Sequence, residues 1–207
     1  MTALLVIAKE PLPGRVKTRL TPPCTPVEAA ALAEAALRDT LDAAAAARRP
    51  DRIVLVLEGR PPAWLPAGVE VLAQRGSGLA ERLVSAFADA GAPAFLIGMD
   101  TPQITPALLD SGIAALERSD AAFAPAADGG YWGIGLRRAD DAVFRGVPMS
   151  EPHTGAAQLR RLFALGLRTV LLPRLRDVDT IADAHAVAAS APSSRFAAAL
   201  GRLEEAA

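Results

Sequence analysis

The chain has 207 residues, about half of them apolar, with 22 basic against 23 acidic residues and a net charge of −1. That length buries a sizeable core in one domain over residues 1–207, and the near-neutral balance excludes a general nucleic-acid binder while allowing a local basic pocket for something small. Nothing reads as a signal peptide or a membrane span, which predicts a cytoplasmic protein, and Cys24 as the only cysteine excludes an internal disulfide or a cysteine-based zinc cage.

Ala3 to Ile7 is a short run of branched apolar residues, the pattern of a buried strand. Thr25-Pro26-Val27-Glu28 is a capping box with proline at the first helical position, and it opens a helix to about Ala47. Arg52 to Glu58 and Val69 to Ala73 are strands, a helix follows from Leu79 to Ala90, and Ala94 to Met99 is another buried strand. Thr105-Pro106 starts a helix to about Arg118, with strands at Ala121 to Ala126 and Tyr131 to Arg137 around an Asp-Gly-Gly turn. His153 to Leu165 is helical by pattern, Arg168 to Leu172 is a strand, and Thr180 with Asp183 starts a final helical region. This alternation is βαβ-like.

Four punctuated loops carry polar residues that folding alone does not demand. The first, Ala8-Lys9-Glu10-Pro11-Leu12-Pro13-Gly14-Arg15-Val16-Lys17-Thr18-Arg19, holds the chain's only two lysines, against twenty arginines in the whole chain. Lys17 between Arg15 and Arg19 is a compact point charge at the exit of a strand, which points either to a phosphate site or to a solvated basic loop. The second, Gly98-Met99-Asp100-Thr101-Pro102, ends an apolar strand on a carboxylate that can hold Mg²⁺ or Mn²⁺ against a diphosphate or cap the next turn.

The third loop, Asp128-Gly129-Gly130-Tyr131-Trp132, offers glycines for close backbone approach and aromatic walls for a ring, or a plain hairpin turn. In the fourth, Asp177 and Asp179 flank Val178 and can share one face, one as a second metal ligand or both as favourable charge at a helix start. His185 reads as an ordinary helical residue, whereas His153, after Pro148-Met149-Ser150-Glu151-Pro152, is better placed to line a pocket.

In order, A-K-x-P-x-P-G-x-V-K-T-R-L, Q-x-G-x-G-L-x-x-R-L, G-x-D-T-P, P-A-x-D-G-G-Y and D-V-D-T-x-x-D resemble the bacterial DUF2064 group of nucleotide-diphospho-sugar transferase-like proteins. The resemblance implies a glycosyltransferase type A-like fold, a single three-layer α/β/α Rossmann-like sandwich with a mixed, mostly parallel sheet. It also implies that Ala8, Lys9, Gly14, Arg15, Lys17, Arg19, Gly78 and Arg82 bind the nucleotide, with Arg15, Lys17 and Arg19 neutralising its diphosphate. Asp100 and Asp179 become the Mg²⁺ or Mn²⁺ acids, and Asp128 the candidate catalytic base beside Asp100. Gly129, Gly130, Tyr131, Trp132 and His153 fall on the acceptor side. Two departures lie on that side: glycine follows Trp132, and Met149 stands where many members carry tryptophan.

The function expected from this set is metal-dependent transfer from a nucleotide-linked donor, foremost glycosyl transfer from an NDP-sugar to a small acceptor. Nucleotidyl transfer from an NTP to a phosphorylated small molecule is the near alternative. A nucleotide-binding regulatory protein without chemistry is the distant one.

Overall fold

The computed structural model describes residues 1–205. At its centre β1 (Ala3–Lys9) pairs in parallel with β2 (Arg52–Glu58) on one side and β4 (Ala94–Gly98) on the other, so Val6 lies opposite both Leu55 and Ile97. Next to β2 lies β3 (Val69–Ala73), again parallel. Beyond β4, β6 (Tyr131–Leu136) runs antiparallel between β4 and β5 (Ala121–Pro125), and β7 (Thr169–Leu171) pairs in parallel with β5. The order is β3-β2-β1-β4-β6-β5-β7. Only residues 126–130 separate β5 from β6, too few for the crossover that a parallel neighbour needs, so this pair must be a hairpin.

One face of the sheet is covered by α1 (Pro26–Ala46) and α3 (Pro106–Arg118), the other by α2 (Leu79–Ala90) and α4 (Thr154–Ala164). This is the expected α/β sandwich with a mixed, mostly parallel sheet. Thr25 and Glu28 form the capping box in both directions. The final helical region divides into α5 (Ile181–Ser190) and α6 (Arg195–Glu205), because Pro192 has no N–H and cannot continue a helix. Among the described residues no helix is long and apolar enough to cross a membrane.

Two packing constraints fix the site's framework. Phe95, fully buried in β4, fills space that three glycines leave: a Cβ on Gly112, Gly133 or Gly135 would come within 2.6, 2.9 or 3.0 Å of its ring. The glycine alternation of β6 is therefore a mould for one aromatic side chain. The second constraint is on α1, which is rich in alanine because it is buried on two sides. Ala33, Leu37 and Leu41 pack with the sheet, while Ala29, Leu32 and Ala36 pack with Val187, Phe196 and Leu200 of α5 and α6. Asp39 of α1 accepts the backbone N–H groups of Arg195 at 3.0 Å and Phe196 at 2.9 Å, which caps the start of α6.

Phe196 has no measurable exposure, so its removal leaves a cavity between α1 and the C-terminal helices. Phe196→Ala is expected to lower unfolding stability by about 3–5 kcal/mol in urea denaturation. A change below about 1 kcal/mol would show that α6 contributes little to the fold.

Candidate active site

A cavity of about 980 Å³ opens where β1 and β4 end and β6 begins. Because β6 is antiparallel, its first residues lie at the same edge as the last residues of β1 and β4, which brings the Asp128 loop to the Asp100 loop as expected. The cavity wall includes Ala8, Lys9, Arg15, Lys17, Arg19, Gly78 and Arg82 of the expected nucleotide set. Gly14 is not among the lining residues; its φ of 74° serves the turn that follows Pro13.

Lys17 occupies the left-handed region, φ 49° and ψ 37°, and its side chain is only 8% exposed. This unusual backbone turns the ammonium inward, where Nζ lies 2.5 Å from Asp100 Oδ1 and donates to the Val178 carbonyl. The Val178 N–H in turn donates to the Asp100 carbonyl at 2.9 Å. Three loops far apart in sequence are thus joined at one ammonium. Arg19 turns instead to Asp179, with Nη1 2.5 Å from Oδ2. On the other flank Gln74 donates to the carbonyls of Ala8 and Val56, and its Oε1 accepts from Arg82 at 3.2 Å. Arg82 also binds Glu58, whose carboxyl is held below its usual range by that hydrogen bond first and by the nearby Lys9, Arg82 and Arg15 charges.

Sequence reasoning chose Asp179 as the second metal acid and left Asp177 undeveloped. Both line the cavity, but Asp179 is engaged by Arg19, whereas the buried Oδ1 of Asp177 has no hydrogen-bond partner. Burial pushes the Asp177 carboxyl up to about 7, reinforced by the charges of Asp128, Asp100 and Asp179 and opposed by Lys17. An orphaned carboxylate oxygen facing like charges is what a hard divalent cation would relieve, so the donor chemistry of Asp100 and Asp177 fits Mg²⁺ or Mn²⁺. Among the described residues no three acidic, histidine or cysteine side chains converge to hold a metal by themselves.

The acceptor-side residues divide. Asp128 is exposed and its Oδ1 accepts the Gly130 N–H at 2.8 Å, an Asx turn that fixes the carboxylate at the cavity mouth. The glycines read as room for a ligand are used by the protein: a Cβ on Gly129, at φ 93°, would lie 1.8 Å from the Pro152 carbonyl oxygen. The Gly155 N–H donates to the Gly129 carbonyl at 2.8 Å, so the turn docks on the start of α4. Trp132 is a floor rather than a wall, 2% exposed, edge-on to Phe95 and donating to the Pro173 carbonyl at 2.9 Å. Tyr131 packs on Phe123, and burial keeps its phenol above the ordinary range. His153 corrects the expectation: it does not line the cavity, because as the residue before α4 it turns out to solvent and pairs with Glu151 at 3.0 Å.

Two predictions follow from these contacts. A carboxyl raised from an ordinary 3.8 to about 7 disfavours the folded state as pH rises through that interval and costs nothing below it. With EDTA present, the wild type should therefore lose stability relative to Asp177→Asn between about pH 4 and pH 7, measured by urea denaturation. Parallel pH profiles for the two proteins would remove Asp177 from this environment. Separately, Gly129→Ala is expected to lower stability by about 2 kcal/mol or more through its positive φ and the clash with Pro152, whereas Gly130→Ala, with no positive φ, should cost less.

Known structures share this architecture. A candidate nucleotide-diphospho-sugar transferase from Desulfovibrio desulfuricans G20 is 28% identical, with 99% of this chain and 95% of that chain covered at a TM-score of 0.89. CMP:2-keto-3-deoxy-manno-octonic acid synthetase, complexed with CTP, is 13% identical over 92% of this chain and 98% of its own, TM-score 0.58. A Mycobacterium tuberculosis H37Rv protein in complex with manganese is 22% identical over 90% and 96%, TM-score 0.51. No curated protein matches the sequence. The fold is nucleotide-diphospho-sugar transferase-like. The family model described as an uncharacterized protein conserved in bacteria, DUF2064, matches residues 30–151, more than half of the chain, and the chain belongs to that family.

Proposed function

We propose that the protein transfers a glycosyl group from an NDP-sugar to a small acceptor, in a reaction that depends on a divalent metal. The observation that carries this is the meeting of Lys17, Asp100 and the partnerless Asp177 at the centre of a cavity whose two ends differ in charge. Toward β1 and α2 lie the cations; toward β6 and α4 lie Asp128 and an apolar wall. A diphosphate at the cationic end faces Arg15 and Arg82, with backbone N–H groups at the start of α2, where Gly78 provides no side-chain cap.

Asp100 and Asp177 would hold Mg²⁺ or Mn²⁺, and Asp179 orients Arg19 instead. When bound, the metal supplies positive charge to the diphosphate leaving group. Lys17 holds Asp100 and the Val178 backbone in register, so the loops that carry Asp100 and Asp177 keep their relative positions. Asp128 stands at the acceptor end with one oxygen fixed by Gly130, and its carboxylate takes the proton of an attacking hydroxyl. The CTP-complexed synthetase of the same fold keeps nucleotidyl transfer as the second reading.

Purified protein incubated with a panel of NDP-sugars and NTPs, with Mn²⁺ or Mg²⁺, tests the reaction. Slow release of NDP from one NDP-sugar is expected. Pyrophosphate release from an NTP would instead establish nucleotidyl transfer, and nucleotide binding with no turnover would establish the regulatory reading. In the same assay, and on protein shown by circular dichroism to be folded, Asp100→Asn should abolish metal-stimulated turnover, about 100-fold or more. Asp177→Asn should be nearly as severe and Asp179→Asn much milder. Equal losses for Asp177→Asn and Asp179→Asn would return Asp179 to the metal site.

A further inference from the structure

The charges that line the cavity are sorted by strand order. Its five cations, Lys9, Arg15, Lys17, Arg19 and Arg82, come from the end of β1, the segment after it and α2. Among the described residues no lysine, arginine or histidine lines the opposite end, built by residues 128, 130–132, 149–152 and 154; His153 turns to solvent, where it holds Glu151 at 3.0 Å. That end presents the carboxylates of Asp128 and Glu151 beside Tyr131, Met149 and Pro152, with Asp177 behind them. Arg174 does reach the Asp128 loop, but it is spent on the carbonyls of Ala126, at 3.1 Å, and Ala127, at 2.8 Å, and does not line the cavity. Arg19 and Lys17, nearest in sequence to the centre, are bound to Asp179 and Asp100.

A phosphate or carboxylate on the second substrate would enter this end with no cation to meet it and with carboxylates on two sides. We infer that the acceptor is a neutral or cationic hydroxyl compound with an apolar face, and that phosphorylated acceptors are excluded. The inference rests on the glycosyl-transfer reading and narrows it. The acceptor oxygen's lone pair forms the new bond to the anomeric carbon as the bond from that carbon to the diphosphate oxygen breaks. That electron pair leaves with NDP, and the hydroxyl proton passes to Asp128 and then to solvent. An attacking phosphate would need no such base, and it is the group this end repels.

The test uses the full chain saturated with Mn²⁺ and the NDP released from its donor, and measures binding of glucosamine, glucose and glucose 6-phosphate by calorimetry. Glucosamine and glucose should bind more tightly than glucose 6-phosphate by about tenfold or more, the factor given by about 1.4 kcal/mol of like-charge repulsion. Glu151→Lys, which places a cation in the acceptor end away from the reacting atoms, should reduce that preference several-fold while leaving NDP affinity unchanged. Equal or tighter binding of glucose 6-phosphate to the wild type, or no discrimination among the three, overturns the inference even where NDP-sugar turnover stands. Pyrophosphate release from an NTP, in contrast, removes the glycosyl-transfer reading on which it rests.

Discussion

The ammonium of Lys17 is the point on which the site is assembled. It lies between the Asp100 carboxylate and the Val178 carbonyl, and the Val178 N–H closes the circuit on the Asp100 carbonyl. These residues come from the first, central and last thirds of the chain, so no local preference could hold them together. Lys17 is nearly buried while Asp100 is about half exposed, and the asymmetry matters. The lysine depends on the pair, because an ammonium out of water without a partner is costly, whereas the carboxylate keeps one side available to a ligand. Asp100 is thereby both anchored and open.

Around that point the fold does two things at once. Parallel β1 and β4 end at one edge, and the antiparallel β6 begins there, so loops of different chain direction share a rim. The rigidity of the rim comes from packing as well as from polar contacts: Phe95 lies over Gly133 and Gly135 of β6 and against Gly112 of α3, and Pro152 against Gly129 seats the Asp128 turn on α4. A carboxylate on a turn would ordinarily wander with it. Here the turn is closed by Gly130 and clamped by Gly155, which gives Asp128 a fixed place without burying it.

Much of this was legible in the sequence, and what was not has a common cause. Branched apolar runs gave the buried strands, and Thr25 to Glu28 and Thr105 with Pro106 marked their helices because capping chemistry is local. The loops at the strand ends were also identifiable as a site from their punctuation and charge. The choice between Asp177 and Asp179 was not, since a two-residue period places both on one face and says nothing of what lies opposite. It is decided by Arg19 and by the burial of Val178, which is 1% exposed in the cluster beneath α5 and α6. The glycine at 129 is ambiguous for the same reason: a sequence shows that a side chain is excluded, not whether a ligand or Pro152 excludes it. His153 and Trp132 likewise owe their directions, one outward and one into the core, to α4 and Phe95.

The use of lysine at position 17, in a chain that otherwise relies on arginine, follows from this geometry. Arg52 lays two nitrogens on the carboxylate of Glu70, and Arg195 lays two on that of Asp42, as a planar fork suits a planar acceptor. The acceptors around position 17 are of another kind, one carboxylate oxygen and one main-chain carbonyl contributed by separate loops. A rotatable ammonium with three donors satisfies acceptors that do not share a plane, and its compactness leaves part of Asp100 exposed and Asp177 Oδ1 without a hydrogen-bond partner. A guanidinium at the same point is broader and planar and suits those two acceptors less well. The small cation therefore stabilises the rim without pairing every carboxylate on it, and the remaining carboxylate repulsion is free energy that binding of a cation would recover.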